Sequence, residues 1–156
     1  MPSFFFCNRM ANLLCTKYVG RVSSRTLLAT SRAVRAVPEF DPSLNVLSDL
    51  RAVESIDFRS GDLLGHAIML SEEKRPLPRP VRFAVVVGGV SEDVAAVVRM
   101  YFGYAGIAGN AEFSMFEDTR EALRWLGVGP DAAELLDGAE WIEVAEERDE
   151  TGPAMA

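Results

Sequence analysis

The segment VRFAVVVGGVSEDVAAVVRMYFGYA, residues 81–105, constrains the fold more than any other part of the chain. VRFAVVV (81–87) is a short, almost continuous apolar run dominated by valine and stopped by two glycines. Such a run reads as a strand buried on both faces, as strands are in a parallel sheet covered by helices. The period then changes. Val94, Val97, Val98, Tyr101 and Ala105 form one stripe at helical spacing over 91–105. Ser91 caps that helix, with Glu92 and Asp93 at the positive end of its dipole. A buried strand running into an amphipathic helix places the chain among α/β folds.

The other segments fit that class. SFFFC (3–7) and LLCTKYV (13–19) read as two strands of a hairpin joined by the polar turn NRMAN. SSRTLLATSRAVRAV (23–37) reads as a helix capped by Ser23 or Ser24 and closed by Pro38. NVLSDL (45–50) is a strand, SGDLLGHAIML (60–70) a short helix capped by Ser60, and EEKRPLPRP (72–80) a surface linker. AEFSMF (111–116) is a last strand. DTREALRWLG (118–127) is a helix with a capping box from Asp118 to Glu121, stopped by Gly127, and PDAAELLDG (130–138) is one more short helix.

The predicted architecture is a single-domain α/β fold, with a mixed, largely parallel sheet flanked by helices and VRFAVVV at its centre. Residues 1–12 read as an N-terminal strand or extension, 13–138 as the domain, and 139–156 as a fraying acidic C-terminal tail. Met10 offers a second start that would drop the first strand.

At 156 residues the chain suits one domain with a real core. Its net charge of −7 divides into +4 over residues 1–82 and −11 over 83–156. An acidic total argues against a nucleic-acid binder and leaves room for one local basic patch. No apolar run approaches the roughly 20 residues of a membrane-spanning helix. SFFFC is too short for a signal-peptide core and lacks a basic segment before it, so a cytoplasmic protein is expected. Cys7 and Cys15 read as two free thiols on apolar strands; with a single histidine they are too few for a zinc site. No metal or cofactor is expected.

A few motifs bear on chemistry. VGGVSED (87–93) has the layout of a phosphate cradle but lacks its motif, and Glu92 and Asp93 would repel a phosphate; a tight strand-to-helix turn is expected. His66, the sole histidine, falls on the flank of a helix whose Leu63, Ala67 and Leu70 face the core, and reads as an exposed or boundary residue with no nucleophile placed beside it. Asp57 and Ser60 stand where a strand gives way to a helix, a switch loop if phosphorylated and otherwise a turn former and a cap. Arg21, Arg25, Arg32 and Arg35 fall on one arc of the first helix, opposite Leu27, Thr30, Val34 and Val37. That arc is either a solvated face or a landing patch for an acidic partner or anionic membrane surface. Tyr101, Phe102 and Tyr104 crowd a helix end beside a loop containing Gly103, Gly106 and Gly109. Core packing is one reading. The other is an apolar pocket walled by these rings with Phe58, Leu64, Ile68 and Met69 opposite.

Three stretches, taken in order, resemble the SpoIIAA-like family, also described as STAS/SEC14-like (CRAL-TRIO-like) domains. They are VGRVSSRTLLATSRAV, PEFDPSLNVLSDLRAVESIDF and FSMFEDTREALRWLG, and the resemblance spans about residues 13–127. It implies an α/β domain without established enzymatic activity. The wider STAS group includes anti-sigma-factor antagonists switched by phosphorylation at an Asp-Ser-Ser-Gly-like site. Here that stretch is DFRSG, with Phe58 and Arg59 in place of the serines directly after Asp57. The SEC14-like side implies nonpolar ligands held between helices and sheet.

The expectation is therefore a non-enzymatic binding module for a nonpolar small molecule or lipid, with transient contact to an anionic membrane surface through the first helix. The alternative is a STAS-type regulatory module that docks a protein through residues 57–62. One histidine without a partner and scattered carboxylates make no recognisable active site.

Overall fold

The computed structural model describes residues 3–106, 110–129 and 132–145, apart from the side chains of Ser60, Ala132 and Ala133. The N-terminal hairpin forms as predicted. β1 (Ser3–Asn8) and β2 (Leu13–Ser23) pair antiparallel, with Phe6 opposite Cys15 and Cys7 opposite Leu14. Asn12 closes the turn in the left-handed region, at φ 54°, which asparagine tolerates. Because side chains alternate across a strand, Cys7 and Cys15 face opposite sides of the sheet, and both thiols are free.

The chain continues through α1 (Ser24–Ala36), β3 (Asn45–Asp57), α2 (Ser60–Lys74), β4 (Val81–Val86) and α3 (Glu92–Gly106). It ends in β5 (Ala111–Phe116), α4 (Thr119–Trp125), α5 (Ala132–Asp137) and β6 (Ile142–Val144). The strands lie in the order β5-β4-β3-β2-β1-β6. β2 to β5 are parallel, and β1 runs antiparallel to both its neighbours. The mixed, largely parallel sheet is thus as expected. Its middle is β2 and β3, however; the VRFAVVV strand, β4, lies one place from an edge. Helices on both faces, not a central position, account for its continuous apolar run.

α1, α2 and α3 cover one face of the sheet. α4 and α5 cover the other, where Ala122, Leu123 and Leu126 pack on Phe6, Leu13, Cys15, Leu47 and Val86. The caps follow the sequence signals. Ser23 caps α1 in a box with Thr26, Ser91 Oγ accepts from the Val94 amide, and Asp118 accepts from the Glu121 amide, which is one half of the box expected there. Gly127 ends the helical region at φ 76°, where a side chain would be strained.

Four further features depart from the expectation. β3 runs to Asp57 rather than to residue 50 and pairs with β2 as far as Ser23. The register shifts between Lys17 and Val19 and again between Gly20 and Arg21, each time leaving an extra residue on β3. These bulges place Arg51 with Ala52, and Glu54 with Ser55, side by side on the exposed surface. They break the two-residue period by which a strand is recognised. α2 runs four residues further than expected, because the linker begins only at the first proline, Pro76. Arg59, not Ser60, holds the N-cap position of α2, and it makes no side-chain capping bond. The fourth departure lies in the segment expected as a tail. Its residues 142–144 form β6 on β1, and the Trp141 ring stands edge-on to Phe6 at 4.7 Å between centroids. Residues 146–156 lie outside the described residues, so the expected fraying is not described there.

Candidate functional site

Between the sheet and helices α1, α2 and α3 lies an apolar cavity of about 170 Å³. Its origin is visible in one row across the sheet, Phe5–Thr16–Ser48–Val85–Met115, formed by successive register partners. The middle of that row is small: Thr16 and Ser48 bond to each other at 2.7 Å instead of filling the space above them. Larger side chains stand around the gap, among them Tyr18, Leu50, Phe83 and Phe113 from the strands. α1 adds Leu27, Thr30 and Val34, α3 adds Val98, Tyr101 and Phe102, and Phe58 adds its ring from the loop after β3. Phe113 anchors the aromatic wall, with ring centroids 5.0 Å from Phe83 and 5.1 Å from Phe102. α2 packs chiefly on α3 and presents Leu63, His66, Leu70 and Lys74 to the cavity.

Neutral polar groups punctuate this apolar lining. His66 Nδ1 and the Tyr101 hydroxyl are 2.8 Å apart. Burial, reinforced by the positive charge of Arg35 and opposed by Glu73, pushes His66 down to about 4, so its imidazole is neutral at pH 7. Burial likewise raises the Tyr101 phenol above its ordinary value. Tyr18 is pushed up to about 12 by burial, against the opposing hydrogen bonds of Thr30 and Thr16. Thr30 is held in turn by Ser3 at 2.6 Å and by the Thr26 carbonyl at 2.7 Å.

One end of the cavity is charged. Arg35 clamps Glu73 with two bonds of 2.8 Å, joining α1 to the last turn of α2. Lys74 Nζ lies 3.0 Å from the same carboxylate and also donates to the Pro42 carbonyl. The Phe40 ring packs beneath both cations, 5.2 Å from the Arg35 guanidinium carbon and 5.8 Å from Lys74 Nζ.

The structure gathers only some of the residues singled out from sequence. Phe58, Tyr101 and Phe102 line the cavity; Leu64 and Ile68 face outward, 42% and 49% exposed. Met69 and Tyr104 are half-buried but not in its wall, and Gly109 of the adjoining loop lies outside the described residues. The buried row of α2 is Leu63, Ala67, Ser71 and Lys74, with Leu63 and Ala67 facing the core as helical spacing predicts. His66, expected at an exposed or boundary position, borders the cavity. Its signal was present, since 63, 66, 70 and 74 share one helical face, but that face is complete only when the helix reaches 74.

The arginine arc is also divided. Arg21 belongs to β2 rather than to the helix, Arg25 and Arg32 are exposed on α1, and Arg35 turns inward to Glu73. Asp57 is exposed as the last residue of β3, and the Ser60 side chain lies outside what the structure describes. The glycine turn after β4 has a packing role. A Cβ on Gly88 would collide with the Glu117 carbonyl, and Gly89 has φ 81°. Among the described residues, no cluster of His, Cys, Asp or Glu is arranged to hold a metal ion, and no helix is long and apolar enough to cross a membrane.

No family model matches the sequence, and no curated protein matches it either. Comparison of structures does find a likeness. The crystal structure of an uncharacterized DUF3478-family protein with a SpoIIAA-like fold, from Shewanella loihica PV-4, superposes with a TM-score of 0.51. The match covers 81% of this chain and 95% of that one at 19% sequence identity. The likeness is one of fold: this chain is a single α/β domain with a SpoIIAA-like fold.

Proposed function

We propose that the protein is a binding module that holds a small, largely apolar molecule between its sheet and helices α1 to α3, and that it does no chemistry on that molecule. The supporting observation is the cavity itself, which is floored by Thr16 and Ser48 and walled by aromatic rings with a few neutral hydrogen-bonding groups. Pockets for small molecules have this character, mostly apolar with a few placed polar groups. An engineered apolar cavity of roughly 150 Å³ accepts benzene. A cavity of about 170 Å³ therefore suits a single-ring or short-chain ligand and not a long acyl chain. Ligand-observed NMR against a panel of one-ring hydrophobic compounds tests the proposal. Binding is expected for the unmodified protein and lost in Ser48→Leu, which places an isobutyl group on the cavity floor. Absence of binding across the panel, or binding unchanged in a folded Ser48→Leu protein, refutes it.

A second reading, a STAS-type module that docks a regulatory protein, is favoured by one feature. Leu64 and Ile68 stand exposed one turn apart on the outer face of α2, beside the loop that follows β3. Native mass spectrometry of protein from its own cells separates the two readings. A bound small molecule supports the first. A second polypeptide released by Leu64→Ser with Ile68→Ser supports the other.

A further inference from the structure

Resting on the small-ligand reading, we infer that the ligand is a monocarboxylic acid: its carboxylate is received by Lys74, and its apolar body, about the size of one ring, lies against Phe83, Phe102 and Phe113. Lys74 is the anomaly that leads there. Lysines almost always carry their ammonium to water, yet this side chain is 4% exposed and borders an apolar cavity. An ammonium has three donors. Two have acceptors, the Pro42 carbonyl and Glu73 Oε1, and the third has none among the described residues.

The charges at this end do not balance. Arg35 and Lys74 share the single carboxylate of Glu73. Asp41 also acts on Lys74, but it lies toward solvent and its carboxylate is engaged by the Ser43 amide and hydroxyl. One positive charge is left at the edge of a low-dielectric cavity, where an uncompensated charge is costly and one anion is strongly favoured. Arg35 is not the receiving group. Four of its five N–H groups are committed, Nε and one of Nη2 to Glu73 and both of Nη1 to the carbonyl and hydroxyl of Ser31, and its charge is neutralised by that two-bond pairing. Its part is to hold Glu73. A surplus of one charge matches a monoanion, whereas a phosphate dianion would reverse the imbalance. His66, Tyr101 and Tyr18 are neutral and add hydrogen bonds without discriminating a charge.

The test pairs two ligands of nearly equal shape, 3-phenylpropionate and 3-phenylpropanol, titrated calorimetrically into the full chain at pH 7. A charge-assisted hydrogen bond in a desolvated site is worth about 1.5–3 kcal/mol, so the acid is expected to bind roughly 10- to 100-fold more tightly than the alcohol. Lys74→Met should remove that preference, bringing the affinities for acid and alcohol together. Equal affinity for acid and alcohol in the unmodified protein overturns the acid inference and leaves the cavity reading standing; this comparison needs no variant. An acid preference that survives Lys74→Met overturns the assignment to Lys74. Failure of both compounds to bind at millimolar concentration overturns the inference together with the reading it rests on.

Discussion

Mild acid should weaken the protein through one side chain. His66 is the only histidine in the chain, and burial holds its folded-state value at about 4, below its ordinary 6.5. Between those values the unfolded chain takes up a proton that the folded protein refuses, so stability falls as pH is lowered. The contribution is fully present above pH 6.5 and lost progressively toward pH 4. A tenfold difference in proton affinity between the two states corresponds to about 1.4 kcal/mol, so roughly 2 kcal/mol should be gone by pH 5 and about 3 kcal/mol near pH 4. The second figure is a ceiling for a ring that is only half-buried. Protonation would also make Nδ1 a donor toward the Tyr101 hydroxyl, whichever role it has in the neutral ring. Carboxylates act in a different window. Burial pushes Glu73 and Asp49 up, but the hydrogen bonds of Arg35 and Lys74 to the first, and of Arg51 to the second, outweigh it and hold both below their ordinary range. Their stabilisation is therefore lost only in stronger acid. Urea denaturation at pH 7.5 and 5.0, for the unmodified protein and His66→Gln, isolates the effect. The variant should lose far less stability between the two pH values, whatever its stability at pH 7.5. Equal losses in the two proteins would refute the assignment to His66.

Other changes have definite expected outcomes. Glu73→Gln leaves Arg35 and Lys74 facing each other; breaking a half-buried cluster of this kind should cost about 2–4 kcal/mol, read from the urea midpoint. Gly88→Ala forces a methyl group onto the Glu117 carbonyl, where backbone must move, and should lower stability by about 2 kcal/mol or more; a thermal melt unchanged within error would show that the β4–α3 turn yields. Arg59→Asp supplies the missing side-chain cap and a favourable charge at the start of α2, for a gain of about 1 kcal/mol. Arg25→Glu with Arg32→Glu tests the exposed basic face of α1 without touching the ion pair of Arg35. If that face meets anionic membranes, vesicle binding at low salt should vanish in the double variant and in the unmodified protein at high salt.

The elements recovered from sequence are those whose signals are local. The hairpin, the caps at Ser23, Ser91 and Asp118, the stop at Gly127 and the valine-rich β4 each depend on a few adjacent residues and their own backbone chemistry. The far half of β3 was missed because pairing with β2 tolerates two extra residues, and the alternation that marks a strand is lost at each of them. β6 was missed because a three-residue strand within an acidic segment carries almost no pattern; its partner is β1, at the opposite end of the chain.

The candidate site divides along the same line. Sequence alone determined an α/β class, a largely parallel sheet and an aromatic helix end at Tyr101 and Phe102, since strand burial and helical periodicity are written at spacings of two to four residues. Tertiary structure alone decided that a cavity exists, because it depends on Thr16 and Ser48 meeting in register at the middle of the sheet. It also decided which side chains of α2 reach the cavity, that His66 meets Tyr101, and that Arg35 leaves the basic face to share Glu73 with a buried Lys74. The physical reason is that burial and charge pairing are set by neighbours in space. Arg35 and Glu73 are separated by 38 positions in the chain, and nothing at either position alone announces the other.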